Sequence, residues 1–95
     1  MKMVFGKVGK SGNISNRGSG DWAVSKVESG RYEVRFTPPL PNVPVILITP
    51  AQPTEGSNKY SAYDTTTDDF TVDCQETHRD RAADTAFSFL TICRE

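Results

Sequence analysis

The stretch GRYEVRFTPPLPNVPVILITP, residues 30–50, decides how the rest of the chain is read. Its first half alternates strictly. Tyr32, Val34 and Phe36 fall on one side of an extended segment, and Arg31, Glu33 and Arg35 fall on the other. Period two marks a strand with one face buried. Pro38, Pro39 and Pro41 then make a corner that no central strand tolerates. Beyond it runs Val43-Pro44-Val45-Ile46-Leu47-Ile48-Thr49, apolar and β-branched, closed by Pro50. An uninterrupted apolar run of that length predicts a strand covered on both faces. A half-buried strand, a corner and a doubly covered strand together predict a small antiparallel β-sandwich.

Outward from that segment, turn residues punctuate the chain at short intervals, as in all-β sandwiches. Six to seven strands are expected, over residues 3–8, 21–27, 31–37, 43–49, 58–64, 69–75 and 85–93. Residues 1–20 supply the first strand and a Gly/Ser/Asn-rich loop at 9–20, and a strongly polar loop spans 77–84. Helical periodicity is nowhere sustained. The last strand carries Phe87 and Phe89 on one face and Leu90 and Ile92 on the other. Leu90 and Ile92, beside Ile46 and Ile48, are therefore expected to line a hydrophobic contact between protomers.

All 95 residues make one domain, and a chain of that size buries only about two-thirds of its unfolded surface. Hydrophobic content is 36%, so the core is thin and oligomerisation is an expected source of stability. Net charge is −1 with both signs interspersed, which lacks the basic footprint of a nucleic-acid binder. No segment approaches the ~20 apolar residues of a membrane span, and no classical signal peptide opens the chain. A soluble protein without membrane insertion is expected. Cys74 and Cys93 each alternate with apolar neighbours. They read as two buried thiols or as a disulfide between adjacent strands.

Chemistry-bearing patterns are few. His78 is the sole histidine, and no Ser/His/Asp or Cys/His spacing surrounds it. No phosphate-cradling glycine motif is present, since Gly18-Ser19-Gly20 precedes a strand. No enzyme activity and no cofactor are expected. Asp64, Asp68, Asp69 and Asp73 cluster around one turn, where hard oxygen ligands suit Ca²⁺, although acidic turns are ordinarily just solvated. The loop Gln75-Glu76-Thr77-His78-Arg79-Asp80-Arg81 mixes carboxylates, an imidazole, guanidiniums and a hydroxyl. Planar donors and acceptors of that kind clasp vicinal sugar hydroxyls, though a solvated surface loop has the same composition. Lys59, Tyr60 and Tyr63 add cationic and aromatic surface, and Trp22 reads as core or interface packing before it reads as a sugar platform.

The segment 32–92 resembles the H-type lectin domain, the small sandwich of snail and slime-mould agglutinins. The resemblance rests on YEVRF, the Pro-Pro corner, VPVILIT, and DDFTVDCQETH followed by TAFSFLTI. Similar sequences, with GSGDW and a closing FSF strand, occur at the ends of phage and bacterial fibre proteins. The resemblance implies a trimer or a pair of trimers, with galactose or N-acetylgalactosamine bound near subunit junctions. By position it places sugar contacts at His78, Lys59 and Asp21, and the polar loop's own chemistry adds Arg79 and Asp80 to the candidate carbohydrate-binding residues. The family's tryptophan before the histidine is Thr77 here, and a following tyrosine is Ala83 or Asp84. That loss of stacking surface implies weaker or altered hexose binding. A structural trimerisation cap at a fibre end is the competing expectation, with an extracellular or virion-associated setting.

Overall fold

A computed structural model describes residues 1–50, 58–76 and 81–94. The strands are β1 (Lys2–Val8), β2 (Ile14–Asn16), β3 (Trp22–Glu28), β4 (Arg31–Phe36), β5 (Val45–Pro50), β6 (Asn58–Tyr63), β7 (Asp69–Glu76), β8 (Arg81–Ala82) and β9 (Phe87–Cys93). They form two antiparallel sheets, one ordered β2-β1-β9-β5 and the other β3-β4-β7-β6, with β8 paired to β7. The expected sandwich is therefore present. Its seven principal strands are joined by two short ones in segments expected to be loops, β2 within residues 9–20 and β8 within 77–84.

Alternation builds the core. Tyr32, Val34 and Phe36 of β4 and Phe70, Val72 and Cys74 of β7 point inward, opposite Phe87, Phe89 and Cys93 of β9. The aromatic rings interlock between the sheets. Trp22 meets Phe89 edge-on at 4.8 Å between centroids, and Phe70 meets Phe89 at 5.6 Å. Trp22 is buried, so packing is its role in the chain. Its indole N–H donates to the Arg17 carbonyl at 2.8 Å, and Arg17 Nη1 donates back to the Trp22 carbonyl at 3.0 Å. Gly6 makes the space for that indole, because a Cβ there would stand 2.2 Å from Trp22 Cζ2. In β9, Thr91 is buried and its hydroxyl donates to the Val4 carbonyl at 3.0 Å, so its polar atom is satisfied.

Two expectations about apolar faces are corrected. β5 is not covered on both sides: Ile46 and Ile48 pack against the core, whereas Val45 and Leu47 are exposed. Register is the cause. Ile46 pairs with inward Thr91 and Ile48 with inward Phe89, so Val45 and Leu47 share the outer face with Ile92 and Leu90. Of the four residues expected to face a neighbour, Leu90 and Ile92 lie on the outer face, and Ile46 and Ile48 do not. Cys74 and Cys93 are both buried and free. Cys74 lies beside the β7–β8 pairing and Cys93 opposite Lys2, at opposite ends of the sandwich. A bond between them is thereby ruled out geometrically.

Candidate functional site

The two ends of the sandwich differ in chemistry. At one end β7 finishes at Glu76, β6 begins, and the β3–β4 turn closes over them. At the other lie the Pro-Pro corner, the 64–68 turn and Asp21. Gly30 fixes the first end. Its φ of +71° suits glycine, its carbonyl accepts from Cys74 N at 2.7 Å, and Ala83 N donates to the Cys74 carbonyl at 3.0 Å. β8 thus takes over the edge of β7 that β4 vacates. Asp84 locks the same turn, accepting from Gly30 N at 2.8 Å and pairing with Lys26 Nζ. The Lys26 ammonium, then the Gly30 N–H, hold the Asp84 carboxyl below the usual carboxylate range.

On the outer face of the β3-β4-β7-β6 sheet, Arg31 is the hub of a charged network. Its Nε donates to Asp73 Oδ1 at 2.9 Å and its Nη1 to Glu28 Oε1 at 2.9 Å, and the Tyr63 hydroxyl donates to Asp73 Oδ1 at 3.1 Å. The hydrogen bond to Asp73, with that carboxylate's charge, raises the already high Arg31 value further. Partial desolvation, then the bond to Asp73, pushes the Tyr63 phenol up. A crevice of about 80 Å³ opens beside this network, lined by Gly30, Arg31, Asp73, Gln75 and Ala82 among others. It has room for two or three waters at ~30 Å³ each, and hence for one hydroxymethyl or carboxylate group, not a whole sugar ring.

Lys59 stands on this end, opposite Gln75 in the β6–β7 ladder, and both are exposed. Glu76 and Arg81 are register partners across β7–β8, with Arg81 Nε donating to Glu76 Oε2 at 3.2 Å. His78, Arg79 and Asp80 fall within residues 77–80, outside the described residues. Asp21 is elsewhere. It immediately precedes Trp22 at the far end, pairs with Lys2 at 3.1 Å, and its carbonyl accepts from Thr37 N. Partial burial raises its carboxyl, but the Ser19 hydroxyl and Lys2 ammonium outweigh that and leave it lowered. By register about eight residues of strand, roughly 26 Å, separate the level of Asp21 from that of Lys59 within one chain. The two do not meet in a single protomer.

The acidic turn does not assemble a cation site. Asp69 is bonded to Thr66, whereas Asp73 lies four residues along the strand and is committed to Arg31. Among the described residues no three carboxylate, imidazole or thiol groups gather as metal ligands. Comparison with protein-family models, curated proteins and solved structures finds no match to this chain. The Arg31–Asp73–Tyr63 network and the Asp84 lock were missed from sequence. Their outward alternation was visible, but which outward residues meet depends on a register between segments some 40 positions apart.

Proposed function

We propose that this chain is a carbohydrate- or cell-surface-binding module, lectin-like and non-catalytic, multivalent through assembly as a homotrimer or hexamer. The observation that carries the reading is one polar end on a rigid sandwich. There Lys59, Gln75, Glu76 and Arg81 surround the origin of the 77–80 span. Glycan hydroxyls of galactose or N-acetylgalactosamine type would be held by His78, Arg79, Lys59 and Asp80. Such groups hydrogen-bond vicinal hydroxyls without needing a deep cavity. Asp21 joins this set only if a neighbouring copy brings its far end to the site. Each site binds weakly, and several copies raise avidity through effective concentration. The test is retention on immobilised galactose and N-acetylgalactosamine, with elution by free sugar. Lys59→Ala and His78→Ala should each abolish retention, and retention unchanged in both places the site elsewhere.

A second reading, a structural trimerisation cap at the end of a fibre protein, is favoured by a different observation. The outer face of the β2-β1-β9-β5 sheet is apolar, which suits assembly whether or not sugar is bound. In a cap, no loop substitution would alter binding to any glycan.

A further inference from the structure

The two outer faces of the sandwich are chemically opposite. On the β3-β4-β7-β6 sheet the outward residues are mostly charged or polar, with Ala23 and Val27 of β3 as exceptions at the edge, as a wet face requires. On the other sheet, register sets out two rows that are wholly apolar. Met3 pairs with Ile92, which pairs with Val45; Phe5 pairs with Leu90, which pairs with Leu47. The next row, Lys7, Ser88 and Thr49, is polar and closes the patch on one side. Beyond Val45 the patch runs into a groove of about 820 Å³ at the chain ends, lined by Val43, Ile92 and Arg94 among others.

The exposure is large. Met3, Phe5 and Leu47 are 48%, 43% and 53% exposed, and Val43 and Val45 are 61% and 66% exposed. With the half-buried Leu90 and Ile92, these side chains present roughly 600 Å² of contiguous apolar surface, at the top of the ~300–600 Å² found on monomers. Nothing in strand formation demands this, because Thr or Lys at these outward positions would fold equally well.

We propose that this face is covered by another copy of the same chain. Two arguments select that occupant. The first is area: two such faces, wholly covered, remove at most about 1,200 Å² from water, which reaches the ~1,000 Å² that a specific interface needs. The second is charge. Among the described residues the patch bears no carboxylate, and its cations, Lys7 and Arg94, stand at its margins, so a copy meets no charge at the centre and no counter-charge has to be supplied there. The contact gives the proposed multivalent module its means of assembly and rests on that reading only for its purpose.

Sedimentation equilibrium of the full chain at micromolar concentration tests the contact. Wild-type protein should sediment as an oligomer. Leu47→Glu and Val45→Lys, both at exposed positions, should sediment as single chains with an unchanged circular-dichroism spectrum. Arg35→Glu, on the opposite sheet, should leave the oligomer intact. A monomeric wild type, meaning that something else or nothing covers the face, overturns the proposal. So does an oligomer that survives both variants. A monomer that still binds sugar would sink the contact alone, and an oligomer silent towards sugar would sink the lectin reading alone.

Discussion

Gly6→Ala adds a single methyl group, and the structure makes its cost calculable. The new Cβ would lie 2.2 Å from Trp22 Cζ2 and 2.9 Å from the Asn16 carbonyl oxygen. Ordinary carbon contacts are ~3.5–4.0 Å, so the indole must retreat by more than 1 Å. The strand cannot yield instead, because the Asn16 backbone blocks the other side. Overpacking of this kind costs about 1–3 kcal/mol. A displaced indole also loses its bond to the Arg17 carbonyl, and an unsatisfied buried donor costs about 1–3 kcal/mol more. Restricting the unfolded chain returns about 0.4–1 kcal/mol. The net is a loss of roughly 1–5 kcal/mol, centred near about 3 kcal/mol. At ~4–8 °C per kcal/mol for a domain this size, that central value lowers melting by roughly 10–25 °C. Urea unfolding followed by far-ultraviolet circular dichroism measures it, and Trp22→Phe supplies the partner for a double-mutant cycle. In Gly6→Ala/Trp22→Phe the methyl occupies space the smaller ring vacates, so the pair should be more stable than the sum of singles by at least ~1 kcal/mol. A Gly6→Ala protein within about 0.5 kcal/mol of wild type, or strict additivity, would refute the packing argument.

The remaining predictions concern the candidate-site end and the thiols. Gly30→Ala combines a positive φ with a Cβ at 2.7 Å from the Cys74 carbonyl oxygen. A loss of about 2–4 kcal/mol is expected in urea, and an unchanged midpoint would contradict the locked turn. Asp84 has a lowered folded pKa, so its contribution is complete above the unfolded value of ~3.9 and disappears as pH falls through the folded value. Asp84→Ala should therefore melt several degrees below wild type at pH 7, and the two curves should draw together as pH falls below the unfolded value and through the lower folded one. A gap independent of pH would reject the ion pair with Lys26. Burial raises the Cys74 thiol, and both thiols are enclosed, so neither should react with a disulfide reagent in folded protein. Both should titrate together when urea unfolds the chain, and rapid native labelling would show that the core opens locally.

Much of the fold was legible because one-face burial leaves a period-two trace. Tyr32, Val34 and Phe36, or Phe70, Val72 and Cys74, announce both a strand and its inward side. β2 and β8 left no such trace, being three and two residues long within polar segments. The continuous run at 45–48 announced a strand without telling which alternate residues turn inward. Only pairing of Ile46 with Thr91 settles that, and it moved the exposed pair from Ile46 and Ile48 to Val45 and Leu47. The candidate site was legible in part for a related reason. Lys59, assigned to the site by likeness, lies opposite Gln75 near the end of β7, because β6 and β7 form a hairpin. Asp21 was drawn to the same site by likeness alone, and the crossing of β3 to the far end separates them. Arg31 with Asp73 required a register that no local pattern encodes.

A glycan array probed with the full-length, size-checked protein beside His78→Ala tests the central claim most directly. The account predicts specific binding to galactose- or N-acetylgalactosamine-type glycans, competed by free sugar and lost in the variant. A silent array from a well-folded oligomer would contradict it and leave the assembly role standing.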